Sequence, residues 1–190
     1  MKQRCYWCGK DPLYIEYHDK EWGVAIHNDR LLFEFLTLEG SQAGLSWITI
    51  LKKRENYRKA FDNFNIVSIA QYNDDDINRL LNNPGIVRNK LKINSVINNA
   101  KQTLKIQEDF GSFNNYLWNF VNGETIHNHI SKIEDLKPTS KISDALSKDL
   151  KQRGFKFVGS TICYSFMQAV GMVNDHFIDC YRYDEIKNSK

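Results

Sequence analysis

Proline is scarce in this chain of 190 residues, with only Pro12, Pro84 and Pro138. No Pro-rich or low-complexity linker divides it, so a single domain over residues 1–190 is expected. Stretches alternating apolar and polar residues are also scarce, which argues against a β-sandwich or barrel. The most apolar run, residues 157–173, carries Ser, Thr, Gln and Gly. It falls short of the ~20 apolar residues of a membrane span. No Walker A or GxGxxG motif is present, so nucleotide hydrolysis and dinucleotide cofactors lose support. H-E-x-x-H and the zinc-deaminase H-x-E are missing too, which removes two routes to a catalytic zinc. The first ten residues, MKQRCYWCGK, lack the apolar core of a signal peptide, and a cytoplasmic protein is expected. In that compartment the four cysteines suit metal ligation or free thiols better than disulfides.

What is present is enough to fold. Hydrophobic residues make up 42% and aromatics 13%, sufficient for a sizeable core. The net charge of +3 permits a polyanionic partner without demanding one. The apolar spacing is helical nearly throughout. Asn28 or Asp29 can cap a helix burying Leu31, Leu32, Phe35, Leu36 and Leu38. Leu45, Ile48, Leu51, Tyr57 and Phe61 continue at helical spacing, and further helices are expected from Asn73, over 91–106, 113–121, 142–150 and 157–173. Residues 122–139 are expected to be irregular. The class is all-α.

Chemistry concentrates at the two ends. The stretch CYWCGKDPLYIEYHDKEWG places Cys5, Cys8 and His18 among aromatics, and the tail VNDHFIDCY supplies His176 and Cys180 four apart, one face of a helix. Two thiolates and two imidazoles suit zinc, and four protein ligands would make it structural. Ordinary hydrogen-bonded histidines beside buried thiols would read the same from spacing alone.

Between two helical patterns lies LLNNPGIVRNKLKI. A tight turn at Pro84 and Gly85, placed at the start of the second helix, would leave the amides of Ile86, Val87 and Arg88 free for an anion. Arg88, Lys90 and Lys92 add positive charge. A helix-hairpin-helix grips a DNA backbone in this way, without reading sequence. A plain corner with a solvated basic face is the competing reading. The runs KKRENYRK and KQRGFK read as solvated helix faces. In LEGSQAGLSW, Glu39 is placed at a helix C-terminus, where the dipole gives a carboxylate no support, and Gly40 and Gly44 are expected to break the backbone before Trp47 opens the next helix.

Taken together, DPLYIEYHDKEWG, LEGSQAGLSWITILKKRENYRKAF, GIVRNKLKI, SDALSKDLKQRGFKFVGSTICYSFMQAVG and VNDH resemble the DNA-3-methyladenine glycosylase I family, over about residues 5–180. The resemblance implies a helix-hairpin-helix glycosylase fold, with the hairpin at about 76–100. It also implies a structural Zn2+ joining the ends, 5–18 and 176–180, through Cys5, His18, His176 and Cys180, with Cys8 outside the set. Glu39 and Tyr17 match the family's base-recognition residues, Trp47 its stacking aromatic, and Trp7, Tyr14 and Trp22 other pocket aromatics. Gly44 and Leu45 fall on the loop that enters the DNA stack, and the hairpin at Gly85, Ile86, Val87 and Arg88 is the phosphate clamp. The family lacks the catalytic aspartate of its superfamily, and this sequence offers no candidate. A monomeric, monofunctional enzyme excising 3-methyladenine from double-stranded DNA is the expectation. A zinc-stabilised DNA-binding module without catalysis and a glycosylase of broader alkyl-base scope are the rivals.

Overall fold

The computed structural model describes residues 2–189. Ten α-helices carry the described residues, and the all-α expectation holds. They are α1 (Pro12–Lys20), α2 (Asp29–Gln42), α3 (Trp47–Ala60), α4 (Ile66–Ala70), α5 (Asp74–Leu81), α6 (Lys90–Phe110), α7 (Phe113–Trp118), α8 (Lys141–Gln152), α9 (Ser160–Ala169) and α10 (Tyr181–Asn188). The sequence does not announce α1, whose buried face is short: Tyr14 and Tyr17 line a cavity while Leu13 is exposed.

Helix α2 is the central rod. It is buried on every side from Leu32 to Ser41 and packs against α3, α6, α7 and α9. Asn28 caps it by accepting from the Leu31 amide at 3.1 Å. Asp29 is used elsewhere: its carboxylate accepts from the amides of Phe113 and Asn114 at 2.9 and 2.8 Å, tying down the start of α7. Phe33, Phe35, Leu32 and Leu38 are fully buried around the rod. Each such side chain contributes roughly 1.5–3 kcal/mol by leaving water.

Three expected boundaries move. Gly40 does not break α2, which runs to Gln42; Gly40 instead admits Phe157, whose Cβ lies 3.3 Å from where a side chain would begin. Residues 157–173 are not one helix. Phe157 takes a left-handed φ of 55°, α9 spans only Ser160–Ala169, and Gly171 turns the chain at φ 76°. Added there, a Cβ would stand 2.4 Å from the Val24 carbonyl carbon, so only glycine fits this crossing. Residues 122–139 are mostly irregular, as expected, but include a parallel pair: β1 (Ile126–His127) bonds to β2 (Val173–Asn174), with a further bridge between Ile130 and Phe177. The tail meets the head through other backbone bonds, from the Gly23 amide to the Gln168 carbonyl at 3.0 Å and from the Tyr181 amide to the Gln3 carbonyl at 3.0 Å.

Candidate functional site

The head and tail meet at four buried side chains, Cys5, His18, His176 and Cys180, whose ligand atoms all lie within 4.8 Å of one another. They are not on one helix face, as the four-residue spacing suggested. His176 follows β2 in extended chain, and Cys180 is the residue that precedes α10. A turn closed by the Cys180 amide on the Phe177 carbonyl, at 2.8 Å, brings them round.

The sulfur–nitrogen separations are 3.4 Å for Cys5 Sγ to His176 Nδ1, 3.4 Å for Cys180 Sγ to His18 Nε2 and 3.6 Å for Cys180 Sγ to His176 Nδ1. A tetrahedral metal with bonds of about 2.3 Å to sulfur and about 2.0 Å to nitrogen needs roughly 3.5 Å across each such edge. Each imidazole has its other nitrogen engaged: His18 Nδ1 meets Asp19 at 2.8 Å and His176 Nε2 meets the Trp22 carbonyl at 3.0 Å. This is how metal-binding histidines are held. The cluster can hold a metal ion. Cys8, though buried, lies outside it and donates to the Cys5 carbonyl at 3.1 Å.

The same short head segment forms a wall. Trp7 packs edge-on to Trp22 at 4.8 Å between centroids, 5.1 Å from Tyr14 and 5.3 Å from His18. Tyr17 meets Trp47 at 5.5 Å. Trp7, Tyr14, Tyr17, Trp22, Trp47 and Glu39 all line one cavity of about 270 Å³. The six residues matched to base recognition, stacking and the pocket wall therefore share a single cavity. The sequence reading missed Tyr6, Gln42, Leu136, Ser165 and Gln168, which complete the lining. Ser165 and Gln168 were visible as polar interruptions, three apart, in the apolar run of α9. The indole N–H of Trp47 is buried and has no hydrogen-bond partner among the described residues.

Two glutamates of α2 are buried, and their surroundings are opposite. Glu34 receives Arg54 at 2.9 Å, Arg58 at 2.7 Å and Arg30 at 3.2 Å. Glu39, five residues on along the helix and 4% exposed, has no cation and no hydrogen-bond donor among the described residues. Burial without a partner pushes its carboxyl up to about 8. Burial and the nearby Glu39 push Tyr17 well above the usual phenol range, so its hydroxyl stays neutral. Asp175, 1% exposed, accepts from Asn128 at 2.6 Å and from Tyr164 and Gln168 at 2.8 Å. It does not line the cavity, but as an acceptor it holds the Gln168 side chain, which does.

Beside the cavity, Glu39 and Gln42 also line a second cleft with Gly44 and Leu45. Gly44 has φ 80° with nothing within 4 Å of a notional side chain, and Leu45 is 41% exposed. The hairpin departs from expectation. Helix α6 begins at Lys90, capped by Asn89, five residues after Gly85. The Ile86 amide donates to the Asn83 carbonyl at 3.4 Å, and the Val87 amide to the Tyr57 hydroxyl at 3.2 Å. These two amides are therefore engaged, because the loop curls onto α3 before the helix starts. Arg88 is exposed and forms no ion pair among the described residues.

A sequence profile of the methyladenine glycosylase family matches residues 7–183. The chain is 49% identical over 181 residues to a protein named DNA-3-methyladenine glycosylase 1 from Escherichia coli strain K12, covering 95% of this chain and 97% of that one. It is similar to a crystal structure of 3-methyladenine DNA glycosylase I with 51% identity and a TM-score of 0.92, covering 94% of this chain and 98% of that one. A Staphylococcus aureus structure, described as the basis of 3-methyladenine recognition by its 3-methyladenine DNA glycosylase I, has 41% identity and a TM-score of 0.91, covering 94% and 95%.

The buried carboxyl has a thermodynamic signature. Glu39 titrates near 8 when folded and near its ordinary 4.5 when unfolded, so between those values the native state holds the extra proton and stability falls as pH rises. Glu39→Gln removes that loss. The variant should be about as stable as wild type at pH 5 and gain about 2–4 kcal/mol over it above pH 8. Urea unfolding across that range checks this, and a pH-independent difference would contradict the partnerless burial.

Proposed function

This chain belongs to the methyladenine glycosylase family, and we propose that it hydrolyses the N-glycosidic bond of 3-methyladenine in alkylated double-stranded DNA, with no lyase step. One observation carries the reading: an aromatic cavity with a buried carboxyl that lacks any positive partner.

A base within a duplex is out of reach, so it must be flipped out, which costs a few kcal/mol and less for a damaged base. Stacking on Trp47 returns about 1–3 kcal/mol. In DNA, 3-methyladenine carries a positive charge that adenine lacks. The faces of Trp7, Tyr14, Trp22 and Trp47 favour that charge by about 0.5–2 kcal/mol. Glu39 supplies the larger discrimination. A cation beside it reverses the desolvation that keeps it protonated, so it ionises and makes a charge-assisted hydrogen bond to the base edge. Neutral adenine gives no such return. Tyr17, neutral at any working pH, holds the base as a hydroxyl. The glycosidic bond to a cationic purine breaks with its electron pair passing to the base, which departs neutral, and water adds to the sugar cation and gives its proton to solvent. Without a catalytic aspartate, binding the leaving group is the chain's main contribution.

The duplex is held from outside the cavity. Leu45, carried past Gly44, enters the stack, and the loop 82–89 between α5 and α6 lies along the backbone with Arg88 facing a phosphate. Cys5, His18, His176 and Cys180 hold a structural zinc, which fixes the aromatic wall from behind and joins residues 5–18 to 176–180. The enzyme is a cytoplasmic monomer, a single glycosylase domain.

Release of free base from methylated duplex DNA tests the activity. Wild type should release 3-methyladenine, and Glu39→Gln should lose about 10–100-fold in kcat/KM, the scale of one hydrogen bond to a charged group. Tyr17→Phe should lose both rate and base affinity. Equal release by wild type and Glu39→Gln would remove the carboxylate from the centre. No release by folded, metal-loaded wild type would leave a binding module. For the metal, elemental analysis should give about one zinc per chain, lost in Cys5→Ser with a fall of several kcal/mol in stability and kept in Cys8→Ser. The reverse pattern would refute the ligand assignment.

A further inference from the structure

Lys92 is 8% exposed in the first turn of α6, and its Nζ donates to the carbonyl oxygens of Ser41 at 2.8 Å and Ala43 at 2.7 Å. No carboxylate pairs with it among the described residues. Burial lowers its pKa. A buried ammonium without a counter-charge is costly, and an apolar side chain of the same length would fill the space without that cost. Packing alone therefore does not explain the charge.

The two carbonyls do. They lie at the C-terminal end of α2, where helix carbonyls lack partners and the dipole favours a cation. Gln42, between them, lines both the aromatic cavity and the cleft beside it. Gly44 and exposed Leu45 follow directly, in a turn closed by the Leu45 amide on the Gln42 carbonyl at 2.6 Å, and a side chain at Gly44 would meet nothing within 4 Å. At its other end Lys92 is anchored to the hairpin: its amide donates to Asn89, the cap of α6, at 3.1 Å. The hairpin is in turn fastened to α3 by Lys53 on the Pro84 carbonyl at 3.2 Å and by Tyr57 on Val87. One side chain thus joins the loop at 82–89 to the loop at Gly44 and Leu45.

We propose that Lys92 is a positioning residue: clamped on the Ser41 and Ala43 carbonyls, it fixes the Gly44 and Leu45 loop relative to the hairpin, so that gripping the DNA backbone also drives Leu45 into the stack. This rests on the glycosylase reading above. Lys92 touches no base and performs no chemistry.

The test separates backbone binding, loop entry and pocket integrity. The probe is a duplex with a tetrahydrofuran abasic analogue beside 2-aminopurine, whose fluorescence rises when it is unstacked. Wild type should bind it with a rise in fluorescence and release 3-methyladenine from methylated DNA. Lys92→Met should bind the probe within about threefold of wild type but lose most of the rise, and release should fall about tenfold or more, the cost of a misplaced positioning element. Its affinity for free 3-methyladenine, read by tryptophan fluorescence, should stay within about twofold. Lys92→Arg, which can still reach both carbonyls, should recover most of the rise and the release. A Lys92→Met protein with the full rise and full release would overturn the proposal. So would one whose free-base affinity falls in step with release, since the side chain would then only support the fold. Failure of wild type to release base would overturn the functional reading and this inference with it.

Discussion

Keeping a carboxyl out of water with nothing positive beside it is the constraint on which the site depends. Glu39 sits on the same buried helix as Glu34, five residues further along, and Glu34 is surrounded by three arginines. The same helix thus shows what an ordinary buried glutamate needs and what Glu39 is denied. The cavity around Glu39 is lined mainly by aromatic rings, which offer a positive ligand their faces but cannot themselves neutralise a carboxylate. The unmet demand is for positive charge, and it is in place before any ligand arrives.

The rest of the architecture keeps that demand unmet. The rings of Trp7, Tyr14, Tyr17 and Trp22 come from sixteen residues at the head of the chain, a segment with little regular packing of its own. It is held by the crossing of tail on head: the Gly23 amide on the Gln168 carbonyl, the close passage of Gly171 past Val24, and the cluster of Cys5, His18, His176 and Cys180. Trp22 belongs to both, since its ring lines the cavity while its carbonyl meets His176. Trp22 thus joins the four-residue cluster to the cavity wall.

Much of this was legible in the sequence, for reasons that differ by residue. Helix α2 announced itself by apolar spacing and an asparagine cap, and α6 by its long repeat. The metal set was readable as chemistry but not as geometry: four-residue spacing suggested a helix for His176 and Cys180, while the chain uses a turn. The aromatic residues could be listed, yet only their long-range order in motifs, not periodicity, suggested that they share a pocket. The start of the helix after the turn was misplaced because Pro84 and Gly85 mark a turn without saying how many residues pass before the next helix; Asn89 was the real start signal. Gly40 read as a breaker and proved a packing site, since a glycine's need for space depends on a neighbour, Phe157, far along the chain. Lys92 looked like one basic residue among three. Only the fold reveals that it faces inward.

The most direct measurement is a carbon-13 NMR titration of the Glu39 carboxyl in the ligand-free protein, with the resonance assigned by its loss in Glu39→Gln. A midpoint near 8 is predicted, so that the carboxyl is largely protonated at neutral pH and ready to ionise against a cation. A midpoint near the ordinary 4.5 would mean that water or an unrecognised partner already satisfies the group. The selection of a charged base would then need another origin.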